Sequence, residues 1–456
     1  MSSSVQLSLA LVLVIVAASG IGPALAASDG VDGEVEHPCE IYEGVIRMPL
    51  QSPDTPEPTK PWNILLYAAA DIHAGQGFNP LEPFASYVGS GPHVNVLILE
   101  DGYAWSRRAY AWEEDLPWAR SDYVWSVEHQ TCSANITPVL ALGEAETDDP
   151  ETLETFLRFA AEWFPAERTL LFLYGHGGAW AGACNDESNG GGSSVDSYTW
   201  LTPSEMRTAL GSVGGVDALM FSAPCNMASL EAAYEVREVT DLFVGSEEVS
   251  GYIYWWAAVG RIAGALQENP DLDILALGEL AIDAIREEIQ EALDAGYWSH
   301  LIVNLPNIAA IRSSALENLA GAVDQFATSA LSGLPEQKEA LLDLRARLPQ
   351  FRSGQLVDVY ALAHACAGIP GLSEAAGGLA EAVDAAVLAQ VSAGASPYGD
   401  AGGLSLYFPN PQIQSMMTFV AFSHTGEPYL NSGLSFLANT HWDELVEALL
   451  GEVAGL

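Results

Sequence analysis

Two apolar runs, at residues 170–174 and 219–221, are each followed by a residue capable of chemistry, and no other feature constrains the fold as tightly. The first leads into Gly175-His176-Gly177, the second into Ser222-Ala223-Pro224-Cys225. Both runs are short and rich in strand formers, so each reads as a buried β-strand. If they lie side by side and parallel, His176 and Cys225 emerge on one rim of the sheet. That rim, beyond the carboxyl ends of the strands, is where open α/β sheets bind their ligands. An imidazole and a thiol meeting there form the minimal apparatus for covalent acyl transfer.

The rest of the chain supplies the elements such a sheet requires. Residues 62–70 and 93–100 read as further buried strands, with a helical stretch at 80–88 between them. Residues 122–130 alternate in polarity and predict an edge hairpin. Asp148-Asp149-Pro150-Glu151 opens a helix, with Leu153, Phe156, Leu157 and Ala160 on one face. Thr202 and Glu205 form a capping-box start for another. A third helix is predicted over 227–239, then a strand at 241–245. Strands alternating with helices specify an α/β fold: a mostly parallel central sheet covered on both faces. From about residue 260 to 384 the chain is Ala- and Leu-rich, with its clearest helices at 279–295 and 336–348. One more strand at 403–409 and an amphipathic helix at 442–450 close the series.

At 456 residues the chain can bury a large core and hold more than one subdomain. Residues 1–26 read as an export signal, an apolar run at 7–18 preceding the small-x-small site Ala24-Leu25-Ala26. The run lacks a leading Lys or Arg, which leaves an uncleaved membrane anchor open. Residues 27–60 are acidic and Pro-rich, a linker or N-terminal arm. Residues 61–260 carry the paired strands and form the expected catalytic core, and residues 261–456 complete the fold as a helix-rich region. Sixty acidic residues against 16 Lys and Arg give a formal net charge of −44. Such a surface repels phosphate backbones, so nucleic acid is not an expected partner. It suits solvation and high salt; attraction of cationic substrates is the sharper reading, weakened by screening. Export permits disulfides, and the five cysteines (Cys39, Cys132, Cys184, Cys225, Cys366) leave one over within the chain. Cys225 is the one expected to remain a thiol. No spacing resembles a zinc site, and no cofactor is expected.

Acyl transfer needs a thiolate, whereas a cysteine of ordinary pKa, about 8.5, is mostly protonated at neutral pH. A neighbouring histidine stabilises the thiolate and later protonates the leaving amine. Gly177 and Gly178 let backbone N–H groups approach a substrate, and one of them with the N–H of Cys225 can form an oxyanion hole. A helix starting near Met227 would aim its positive end at the thiol. The plainer alternatives are a Cys225 that is an inert small hydrophobe and a structural histidine. His73 also follows an expected strand and is the rival base, without the flanking glycines. Asp217, Glu247 and Glu248 can orient the histidine or line a pocket, or be solvated strand ends.

The His-before-Cys order, about 50 residues apart, matches that of caspases, and the chain resembles the clostripain family of cysteine endopeptidases within the caspase-like group. The likeness runs from about Lys60 to the C-terminus. It rests on Asp149-Pro150-Glu151-Thr152-Leu153, Tyr174-Gly175-His176-Gly177, Cys225-Asn226-Met227, Ser246-Glu247-Glu248, Val357-Asp358-Val359-Tyr360 and Thr440-His441-Trp442-Asp443, in one order. The resemblance implies a caspase-like α/β/α sandwich and a peptide or protein substrate. It also implies a His176 and Cys225 dyad, with Gly177 as an oxyanion donor. Family members that cut after Arg or Lys carry Asp two residues before the nucleophile, where this chain has Ala223. Without that carboxylate a buried guanidinium loses its charge-assisted partner, so a strict basic P1 preference is not expected. Tyr252, Tyr254, Trp255 and Trp256 offer an apolar pocket instead, or simply core packing. Calcium activation is implied by the family alone, with no EF-hand-like spacing behind it. The expected function is that of a secreted clostripain-like cysteine endopeptidase working through a thioester. The alternative is a catalytically silent relative that binds peptides or surface partners.

Overall fold

The computed structural model describes residues 45–48, 50–70, 80–102, 122–130, 133–186, 199–250, 253–294, 307–348, 351, 355–392, 401–410 and 429–450. The expected export signal, Cys39, His73, Cys132 and Tyr252 lie outside these residues.

Twelve strands are described: β1 (Val45–Arg47), β2 (Lys60–Ala70), β3 (Val94–Gly102), β4 (Asp122–Gln130), β5 (Ser133–Gly143), β6 (Ala166–Tyr174), β7 (Val216–Phe221), β8 (Thr240–Ser246), β9 (Asn307–Arg312), β10 (Leu356–Asp358), β11 (Val387–Ser392) and β12 (Ser405–Tyr407). Ten of them form one sheet in the order β1-β5-β4-β3-β2-β6-β7-β8-β9-β11. Its centre, β3-β2-β6-β7-β8, is parallel, and β4 and β9 join that centre antiparallel on either side.

Period-two alternation in the central strands builds two cores. Leu65 and Tyr67 of β2 share one layer with Leu171, Leu173, Leu219 and Phe221. Ile64 and Leu66 share the other with Leu170, Phe172, Ala218 and Met220. The first layer is covered by helices Pro150–Trp163, Pro203–Gly211 and Leu230–Val236 and by helices of the C-terminal region, including Leu316–Ser332. The second lies under Leu81–Tyr87, Ile253–Glu268 and Ile274–Asp294. This is the α/β/α sandwich with a mostly parallel sheet that the alternation of elements predicts.

The helices that return the chain to the sheet start where their capping residues dictate. Asp149 accepts the N–H of Glu151 at 2.8 Å, with Pro150 in the first turn. Thr202 and Glu205 close a reciprocal capping box.

Three expectations need correction. The hairpin expected at 122–130 forms, β4 pairing antiparallel with β5, but it is not the edge of the sheet, because β1 pairs beyond β5. The strand expected at 403–409 is limited to β12, which pairs antiparallel with β10 in a separate two-stranded sheet. The helix expected from Met227 begins only at Leu230. The end of β8 holds the intervening residues: Asn226 N–H donates to Glu248 O (3.2 Å) and Ala228 N–H to Ser246 O (3.0 Å). Ser229 then caps the helix through the N–H of Ala232. Among the described residues no helix is long and apolar enough to cross a membrane.

Candidate active site

β6 and β7 are hydrogen-bonded parallel neighbours, with Leu173 opposite Phe221. Ser222 N–H extends the ladder to Leu173 O at 2.9 Å. His176 and Cys225 therefore leave the sheet from the same rim. Their turns are in direct contact. A Cβ placed on Gly177 would collide with the carbonyl oxygen of Cys225, lie 2.7 Å from the Cys225 nitrogen and 2.8 Å from Cβ of Pro224. Two of those obstacles are backbone atoms, so only glycine fits.

Beyond Gly177 the chain doubles back. Gly177 faces Ala183 across a short antiparallel bridge, flanked by bonds from Cys184 N–H to His176 O (3.0 Å) and from Gly178 N–H to Gly182 O (2.8 Å). In this kind of pair the bridged residue's own N–H points outward. The Gly177 N–H donates to no group among the described residues. Ala179, Trp180 and Ala181 form a buried 3-10 turn that anchors the loop.

His176 is half-buried. Burial lowers its pKa below the ordinary imidazole value, so the ring is neutral at neutral pH and able to accept a proton. Cys225 is half-exposed and in no disulfide. Cys184 and Cys366 are buried thiols. Desolvation pushes Cys366 up to about 12 and Cys184 further still, which leaves both unreactive.

Asn226, directly after Cys225, has a φ of 60°, a left-handed conformation that asparagine tolerates better than most residues. Its Nδ2 donates to Glu247 O at 2.7 Å. The end of β8 thus supports the Cys225 turn through main-chain carbonyls. The sequence marks Asn226 only as part of the Cys225-Asn226-Met227 motif and assigns it no role, although an asparagine just past an expected strand end signals a left-handed turn.

The other candidates scatter. Glu247 is fully buried, and its carboxyl accepts from Asn307 Nδ2 (2.7 Å) and Gly403 N–H (3.0 Å). Burial and the neighbouring Asp358 push its pKa well above the usual carboxyl range. Glu248 is buried too, accepting from Val249 N–H at 2.7 Å. Trp255 has no exposed surface and meets Phe172 edge-on, with centroids 6.3 Å apart. Glu247 and Trp255 are thus core residues and not walls of a cleft. Ala223 is half-exposed and packs against the same core as Trp255. Asp217 cannot orient His176: it accepts Thr169 N–H at 2.7 Å on the opposite rim of the sheet. There, with Glu167, Glu238 and Asp241, it lines a cavity of about 450 Å³. The helix Leu230–Val236 starts too far past Cys225, and is too short, to aim its dipole at the thiol.

Among the described residues one group could hold a cation, Asp101, Asp122 and Glu144, whose ligand atoms lie within 4.8 Å of one another. An oxygen-only set suits calcium and not zinc. Protein donors already engage it. Asp122 accepts Gly102 and Ala145 N–H groups, and Asp101 accepts the Thr147 hydroxyl.

The clostripain family model matches residues 84–365, more than half of the chain. The chain belongs to the clostripain family. It is accordingly a cysteine-type peptidase. Clostripain-type proteases of known structure share its fold. A secreted C11 cysteine protease from Bacteroides thetaiotaomicron, in complex with an irreversible peptide inhibitor, is similar over 84% of this chain and 99% of its own, with a TM-score of 0.58 at 16% identity. A second structure of a secreted C11 protease from that organism has the same TM-score at 12% identity, covering 84% of this chain and 100% of its own. An inactive zymogen C11 protease from Parabacteroides distasonis gives a TM-score of 0.54 at 17% identity, over 78% of this chain and 93% of its own. At such identities the likeness is one of fold. No curated protein matches the sequence.

Proposed function

We propose that this clostripain-family protein is a secreted endopeptidase that hydrolyses peptide bonds with Cys225 as nucleophile and His176 as general base and acid. The observation that carries this reading is the contact between the two turns, where the Cys225 backbone occupies the space a side chain on Gly177 would need. His176, held neutral by burial, takes the thiol proton. The thiolate attacks the substrate carbonyl carbon, and the oxyanion accepts hydrogen bonds from the N–H groups of Gly177 and Cys225. The imidazolium then protonates the leaving amine as the C–N bond breaks, leaving a thioester on Cys225. Water, deprotonated by His176, attacks that thioester and releases the acid product and the free thiol.

Ala223 in place of an acidic residue supports a P1 pocket without basic preference, because no carboxylate at that position pairs a guanidinium. The apolar leader with its small-x-small site supports export, as does the description of the Bacteroides relatives as secreted.

The deciding experiment labels the mature protein with an iodoacetamide probe while a peptide library varied at P1 is assayed, for wild type and Cys225→Ala. Labelling and cleavage that both vanish in the variant are expected. Cleavage that survives the substitution ends this reading, and strong selection for Arg or Lys at P1 ends the pocket assignment.

A further inference from the structure

One buried carboxyl joins the turn that carries His176 to the helix that follows Cys225. Trp180, just past His176, packs edge-on against two phenol rings, Tyr407 at 5.8 Å and Tyr429 at 5.2 Å between centroids. Those two rings lie 4.1 Å apart. Both residues bond to Glu231, in the first turn of helix Leu230–Val236. Glu231 Oε1 accepts the backbone N–H of Tyr407 (2.8 Å) and the hydroxyl of Tyr429 (3.0 Å). The path from the histidine turn to the cysteine side therefore runs through an indole, a tyrosine pair and one carboxyl.

Glu231 has no exposed surface, and its Oε2 is buried with no hydrogen-bond partner among the described residues. The titratable groups that face it are Tyr407 and Tyr429, and Asp443 acts on Tyr429 from beyond. The charged groups on the neighbouring helices are engaged elsewhere: Arg207 with Glu235, and Glu317 with Tyr234 and Arg237. Buried Arg345, on the helix behind Tyr407, bonds the carbonyls of Phe408 and Leu356, and among the described residues no basic side chain offsets a charge on Glu231. Burial outweighs the hydrogen bonds it accepts, and its pKa is pushed up to about 7.

We propose that Glu231 is a positioning residue for the His176 and Cys225 pair: while protonated it fastens the two turns together through Tyr407 and Tyr429, and on ionising it loosens them. Given the dyad assignment above, ionised Glu231 puts an uncompensated charge into a packed aromatic cluster, which relaxes by admitting water. The folded-state pKa lies above the unfolded one. The stabilisation is thus complete below the ordinary Glu range, about 4.3, and is lost as pH rises through about 7.

The test measures Cys225 alkylation by iodoacetamide, and peptide hydrolysis, from about pH 5.5 to about pH 8.5 on the full chain. Glu231→Gln keeps an acceptor oxygen and cannot ionise. The ratio of its alkylation rate to that of wild type is expected to rise several-fold across this range; a ratio independent of pH overturns the proposal. Tyr429→Phe, which serves also if Glu231→Gln does not fold, removes a hydrogen bond that favours the charged form. With one fastening bond gone, its alkylation is expected to start below that of wild type at about pH 5.5 and its further loss to set in at higher pH; an unmoved or lower midpoint overturns the proposal too. Peptide hydrolysis that persists in Cys225→Ala would reject the dyad, whereas the alkylation ratio reports on Glu231 whichever way that falls.

Discussion

Gly177 and Cys225 are packed backbone against backbone, so closely that a methyl group on Gly177 would lie 2.7 Å from the Cys225 nitrogen. The clash falls on atoms of the chain and not on a flexible side chain, so it is relieved only by parting the two turns.

Gly177→Ala is therefore expected to lower kcat/KM by about 100-fold or more, the scale of losing one oxyanion donor. The drop is read with a peptide that wild type cleaves, alongside thermal unfolding to show that the fold persists. A variant within about tenfold of wild type would mean the turns need not touch in the working enzyme.

Burial lowers the His176 pKa. The unfolded ring titrates near 6.5, so the folded value lies below it and the neutral form is the one the fold favours. The associated stability is present above the unfolded value and lost as pH falls through the folded one. In Cys225→Ala, where no thiol titrates beside it, NMR of the His176 ring should show a midpoint below about 6.5. A midpoint above that would reveal an anionic partner holding the imidazolium.

Asn226 combines a left-handed backbone with a side-chain bond to Glu247 O at 2.7 Å. Asn226→Gly keeps the first and loses the second, at a cost of about 1 kcal/mol. Asn226→Ala loses both, at a cost of about 2 to 3 kcal/mol. Denaturant unfolding should rank them wild type, Gly, Ala; equal costs for the two variants would show that the backbone conformation carries no strain.

Ala223→Asp restores an acidic group two residues before the thiol. It is expected to raise kcat/KM for Arg and Lys at P1 by one to two orders of magnitude relative to apolar residues, roughly the worth of a charge-assisted bond. Fluorogenic peptides differing only at P1 measure it. An unchanged ranking would place the specificity pocket elsewhere.

Much of this was legible in the chain because it depends on local pattern. Asp149 and Thr202 mark helix starts by their own hydrogen bonds, and the apolar runs before His176 and Cys225 are long enough to read as strands. The contact between Gly177 and Cys225 was not legible, since it depends on the lateral register of β6 and β7. Met227 and Ala228 fit a helical period, yet carbonyls at the end of β8 hold the backbone on either side of Met227, and that tertiary bonding overrides propensity. Asp217 looked able to orient the histidine, but it precedes the apolar run that Cys225 follows, and strand direction sends the two to opposite rims. For Glu247 and Trp255 composition cannot distinguish a cleft wall from a buried joint. β1 escaped notice because three residues in a Pro-rich tract are too few to show alternation.

That small strand has a consequence of its own. Val45–Arg47 lies along β5 at the outer margin of the sheet, upstream of every other described strand. A cut between Arg47 and Lys60 would spare the central strands yet let this strip peel away, baring a row of amide and carbonyl groups on β5. Such a border recruits strands from other molecules, so nicking one exposed tract would lengthen the stretch of β5 open to foreign pairing.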